Sequence, residues 1–91
     1  MPEIHLRIEG RVQGVGFRWF VCETAKRLGV AGWVKNTSAG DVELAASGDA
    51  PKLALLESAV ARGPRGALVT AVHQMPSRGD TSYPSPFRIE K

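Results

Sequence analysis

Gly10-Arg11-Val12-Gln13-Gly14-Val15-Gly16-Phe17-Arg18 joins a strand-like run to a helix-like run through glycines and ends on an arginine. Before it, Ile4, Leu6 and Ile8 alternate with His5, Arg7 and Glu9. That period of two gives a strand with one buried face, extending to about Val12. After it, Phe17, Phe20, Val21, Ala25 and Leu28 recur at helical spacing and Gly29 follows as a stop, which predicts a helix from Phe17 to Leu28. The segment is a strand-loop-helix joint, and the remaining elements can be read outward from it.

Val30 to Asn36 reads as a second strand. Val42, Leu44 and Ala46 alternate through a third, with Thr37-Ser38-Ala39-Gly40 as the hairpin turn between them. Asp49 and Pro51 mark the start of a second helix, since proline is tolerated in a first turn and an acid complements the helix dipole. Leu53, Leu56 and Val60 form its buried stripe, and Gly63-Pro64 ends it. Ala67 to Met75 is a fourth strand in which Val69 and Val72 are both expected to be buried. Their odd spacing predicts a bulge. Pro76 to Pro86, rich in proline and serine, is a loop, and Phe87 to Glu90 is a short terminal strand.

The order β-α-β-β-α-β, with one added strand, predicts an α+β ferredoxin-like sandwich: an antiparallel sheet with two helices on one face and a short C-terminal edge strand. Right-handed crossing of each β-α-β half puts both helices on the same side. The glycine loop is then expected at the sheet edge where the first helix begins.

Ninety-one residues suffice for one domain, residues 1–91, with a single two-layer core. With 43% hydrophobic and 23% charged residues the composition is that of an ordinary globular protein. The net charge of +3 suits an anionic ligand. The basic residues are scattered and the aromatic-rich strands of RNA binders are missing, so no nucleic-acid partner is expected. The single cysteine, Cys22, allows neither an intramolecular disulfide nor a cysteine metal cluster and fits a reducing compartment. Met1 to Leu6 lacks the pattern of a secretory signal, and no run is long enough to span a bilayer. A cytoplasmic monomer without membrane partners is the expectation.

The Gly10–Arg18 joint can act as a cradle for an oxyanion. Such a loop turns several backbone N–H groups toward one point at a helix N-terminus, where Arg18 adds a forked cation. Glycines between a strand and a helix also serve a tight turn alone, and the pattern by itself leaves both readings open. Two nucleotide motifs are excluded: there is no G-x-x-x-x-G-K-[ST], and a G-x-G-x-x-G beginning at Gly14 fails because position 19 is Trp19. The second constellation is Gly32-Trp33-Val34-Lys35-Asn36, followed by Gly40, Val42 and Gly48. The Asn36 amide can hold a water in a fixed orientation, or it can simply bond its own backbone in the turn.

Together, V-Q-G-V-G-F-R from Val12 to Arg18 and G-W-V-K-N-x-x-x-G-x-V-x-x-x-x-x-G from Gly32 to Gly48 closely resemble the acylphosphatase family. The likeness runs through Gly63-Pro64, Val69, Val72 and Phe87-Arg88-Ile89. The resemblance implies a ferredoxin-like fold that hydrolyses acyl phosphates to a carboxylate and inorganic phosphate. It also implies that Arg18 binds the phosphate and that Asn36 positions the attacking water. Backbone amides of Gln13, Gly14, Val15, Gly16, Phe17 and Arg18 would complete the phosphate site, with no metal and no cofactor. The acyl phosphate could be a small molecule or be carried on a protein. One departure is Ala39, where the family often has Asp before the turn glycine.

Other chemistry-bearing residues read as structural. His5 and His73 are expected to face outward from strands one and four, and without paired carboxylates at ligand spacing they make no zinc site. Cys22 lacks a nearby base. Trp19 could wall a pocket or pack on its helix, while Trp33 and Tyr83 are packing residues. The competing function is a non-catalytic ferredoxin-like module that binds or senses an anion, which would need Arg18 and the loop but not Asn36.

Overall fold

The computed structural model describes residues 1–76 and 82–90. Its elements are β1 (Glu3–Arg11), α1 (Phe17–Leu28), β2 (Ala31–Asn36), β3 (Val42–Ser47), α2 (Ala50–Arg62), β4 (Leu68–Gln74) and β5 (Arg88–Glu90). Part of the loop expected from Pro76 to Pro86, residues 77–81, lies outside the described residues.

The strands form one sheet in the order β4-β1-β3-β2-β5. β3 pairs antiparallel with both β1 and β2, so β1 and β2 run parallel and deliver their C-terminal ends to the same end of the sheet. The glycine loop therefore leaves an interior strand, not the lateral edge of the sheet. β5 pairs parallel with β2, which makes the sheet mixed where the sequence predicts an antiparallel one. β4 ends beside the start of β1 and β5 begins beside the start of β2, both at the same end of the sheet, so β5 runs in the direction of β2.

Leu6, Leu44 and Val34 stand in one register row across β1, β3 and β2, each fully buried. Against this face α1 sets Phe17, Val21 and Ala25, and α2 sets Leu53, Leu56 and Val60. Gly29 ends α1 with a paired closure: its N–H bonds Lys26 O, and the Val30 N–H bonds Ala25 O. The expected bulge lies on β4. Glu9 faces Ala71 and Gly10 faces Val69, so Thr70 is the extra residue. Val69 and Val72 pack against the core but are half-buried, not fully buried.

His5 departs from the outward-facing expectation. It lies on the helix-free face, yet is only 5% exposed. Its Nε2 is 2.5 Å from Oε2 of Glu43, and its ring meets Trp33 edge-on at 5.8 Å between centroids. Both His5 and Trp33 are in register with Ala45, whose small side chain leaves room for two rings from flanking strands. His73 remains half-buried and pairs with Glu9.

Candidate active site

A pocket of about 190 Å³ opens at the C-terminal ends of β1 and β2. Gly14, Gly16, Phe17 and Arg18 contribute to its wall from the loop and the start of α1, and Asn36 from the end of β2. Val12, Trp19 and Ile89 complete the lining. Of the residues the sequence assigns to phosphate and water, all but Gln13 and Val15 meet here. Arg18 and Asn36 come together because β3 lies between β1 and β2 and holds them parallel.

The loop's backbone requires its glycines. Gly14 and Gly16 sit at φ 75° and 74°, and a Cβ on either would touch nothing within 4 Å. The left-handed conformation demands the residue type, not crowding, and the space in front of the backbone stays open. Gly16 is the N-cap of α1 and makes no side-chain capping bond. No acidic residue occupies the first turn. The first intrahelical bond runs from the Phe20 N–H to Gly16 O. The N–H groups ahead of it, on Phe17, Arg18 and Trp19, have no helical acceptor. Phe17, 1% exposed, fixes this turn to the core, a burial that contributes about 1.5–3 kcal/mol.

Arg18 is half-buried, and among the described residues no carboxylate or carbonyl takes its guanidinium. Asn36 is equally uncommitted: its Oδ1 is buried with no partner, an arrangement that typically costs about 1–3 kcal/mol. The turn reading of Asn36 therefore fails, because Thr37 closes the hairpin instead. Thr37 Oγ1 accepts the Asp41 N–H, the Thr37 N–H bonds Asp41 O, and the Gly40 N–H bonds Thr37 O. Ala39 is exposed and takes no part in these bonds.

The Gln13 side chain has a task the sequence does not suggest. Its Nε2 donates to Thr37 O at 3.1 Å and Asp41 O at 2.9 Å, lashing the loop to the hairpin directly after Asn36. Nothing in the sequence marks this, since both acceptors are main-chain carbonyls. Val15 packs against the core. Ile89 was also missed, as it reaches the pocket only because β5 lies beside β2.

Among the described residues no His, Asp or Glu lines the pocket, His5 and His73 included. Cys22 is buried, donates from Sγ to Phe87 O, and burial pushes its thiol above the ordinary value despite the pull of Lys26. Among the described residues no group of three or more His, Cys, Asp or Glu is placed to hold a metal ion.

Comparison with known proteins agrees with this geometry. The acylphosphatase family profile matches residues 4–89. An acylphosphatase of Koribacter versatilis is 48% identical over 83 residues, covering 91% of this chain and 74% of that protein. The crystal structure of acylphosphatase from Bacillus subtilis superposes with a TM-score of 0.83 at 36% identity, over 100% of both chains. That of an acylphosphatase from Coxiella burnetii gives 0.83 at 38% identity, over 97% of this chain and 90% of the other. A profile match along nearly the whole chain, joined to relatives this similar at this coverage, establishes that the chain belongs to the acylphosphatase family.

Proposed function

We propose that this protein hydrolyses the carboxyl-phosphate bond of acyl phosphates without a metal ion, releasing a carboxylate and inorganic phosphate. One observation carries the reading: Arg18 and Asn36, neither engaged by the protein among the described residues, line a single pocket at a helix N-terminus that bears no acid. The phosphoryl oxygens take the free N–H groups of the loop and first turn together with the Arg18 fork. Asn36 orients a water in line with the bond to be broken.

The chemistry asks little more. An acyl phosphate is a mixed anhydride, and its carboxylate leaves without an acid to protonate it. The water oxygen bonds to phosphorus, the bridging P–O bond breaks, and that electron pair departs with the carboxylate. The water's proton passes to a phosphoryl oxygen, because among the described residues none in the lining is a carboxylate or a histidine. In a loose transition state charge spreads over the peripheral and bridging oxygens, where fixed donors act most strongly. Asn36 cannot serve as a base at neutral pH, so it contributes orientation.

The same reading takes residues 1–91 as one domain working as a cytoplasmic monomer, on a small acyl phosphate or one borne by a protein. Buried Cys22 fits a reducing compartment. Among the described residues no helix is long and apolar enough to cross a membrane.

The test is hydrolysis of benzoyl phosphate with a metal chelator present. Wild type is expected to turn over with kcat flat through neutrality. Arg18→Lys and Asn36→Ala are each expected to lose about a hundredfold or more. Asn36→Ala should retain inhibition by inorganic phosphate. A wild type that binds phosphate but hydrolyses nothing would overturn the reading in favour of an anion-binding module.

A further inference from the structure

We infer that Arg11, Arg62 and Arg65 form a cationic collar around the pocket that draws acyl phosphates toward it, with a pull that grows as the acyl group gains negative charge. This rests on the hydrolase reading above and adds to it a preference by charge. In the sequence these arginines are scattered, but the topology brings them to one end of the molecule. Arg11 ends β1, directly before the pocket residue Val12. α2 starts at the end of the sheet where β1 starts, and β4 then returns antiparallel to β1 with Leu68 facing Arg11, so Arg62 in the last turn of α2 lies at the pocket end. A Cβ added to Gly63 would come within 3.3 Å of the ring of Phe17, so the turn after α2 packs against a residue of the pocket wall. Arg65 stands at the tip of that turn, which the Ala67 N–H closes on Pro64 O with Gly66 at φ 92°.

Charge at this end is unbalanced. Arg7 engages Glu9 and Asp41, and Arg88 engages Glu90. Arg11, Arg62 and Arg65 are exposed and, among the described residues, pair with no carboxylate. Arg62 also complements the C-terminal end of the α2 dipole, whereas Arg11 and Arg65 lie outside both helices and have no such task. Inside the pocket Arg18 and the loop amides already meet the phosphoryl dianion. Unneutralised charges of one sign around a cleft raise the local concentration of solutes of the other sign. Such a field carries about 30 Å at 0.01 M ionic strength and about 8 Å at 0.15 M. The collar works through that field, without touching the reacting atoms, and any further anion on the acyl group feels it as well.

The test is kcat/KM for benzoyl and 4-carboxybenzoyl phosphate at ionic strengths of about 0.01 M and about 0.15 M. The 4-carboxylate adds a charge with little change in leaving-group acidity. The proteins are wild type, Arg11→Gln, Arg65→Gln, the pair Arg62→Gln/Arg65→Gln, and the pair Arg27→Gln/Lys52→Gln. The last removes the same charge from the opposite end, where Arg27 closes α1 and Lys52 begins α2. At low ionic strength wild type is expected to favour the carboxylated substrate by about threefold. The collar pair should lose that preference, and about fivefold in kcat/KM on benzoyl phosphate, with kcat unchanged. Arg11→Gln and Arg65→Gln, which leave the α2 end intact, should each lose about twofold. All of these differences should shrink at the higher ionic strength. An equal loss in the opposite-end pair, a loss carried by kcat, or differences indifferent to ionic strength overturns the inference. Calorimetric binding of inorganic phosphate reads the collar without turnover. Binding weakened in the collar pair at low ionic strength alone, in a protein that hydrolyses neither substrate, supports the collar while overturning the hydrolase reading.

Discussion

Helices α1 and α2 both begin without a side-chain capping bond, but they begin in opposite electrostatic circumstances. α2 follows Asp49, an acid in extended backbone at φ −63° and ψ 139°, with Pro51 in its first turn. It starts beyond the end of β3, where β1 and β2 begin. α1 follows Gly16 in the left-handed region, has no acid in its first turn, and adds Arg18 at the other end of the sheet. The same unpaired N–H groups thus have a resident negative charge at one helix and none at the other. On the proposed reading, the contrast separates a helix start built for the fold from one left to an incoming anion.

Making α1 resemble α2 is the sharpest way to break the contrast. Gly16→Asp puts a carboxylate where the phosphoryl group is proposed to sit, and should cost about a hundredfold in kcat/KM. Inhibition by inorganic phosphate should vanish with it. Unchanged inhibition would show that the anion is held by Arg18 alone. Next in size is Gln13→Ala, which removes both bonds between the loop and the hairpin. A loss of about 1–2 kcal/mol in urea unfolding is expected, together with roughly a tenfold fall in kcat as Asn36 loses its setting. A stability change with kcat intact would reduce Gln13 to a structural tie. The smallest effect belongs to the other helix. Asp49→Ala should lower stability by about 0.5 kcal/mol through the dipole alone, with kinetics as in wild type. A kinetic effect there would mean that the two helix starts are not independent.

How far the sequence discloses this molecule depends on the range of the interaction concerned. α1 was legible at both ends because Gly16 and Gly29 punctuate a strongly periodic run. That Arg18 and Asn36 meet in one pocket was legible because their motifs fall just after the first strand and at the end of the second, two strands that the fold runs parallel. The direction of β5 was not, since three residues carry no signal for which strand they pair with or in which direction. Nor was the burial of His5, which depends on Ala45 opposite it and on Trp33 one strand further away. The brace from Gln13 was equally hidden, because carbonyl acceptors leave no trace in residue identity.

β3 separates the strands that deliver Arg18 and Asn36, and on the proposed reading this ties chemistry to the order of assembly. A chain in which α1 and the loop have formed, but β3 has not inserted between β1 and β2, contains every reactive group and no site. Turnover regained on refolding therefore reports a completed sheet centre, where helical signal reports only local structure.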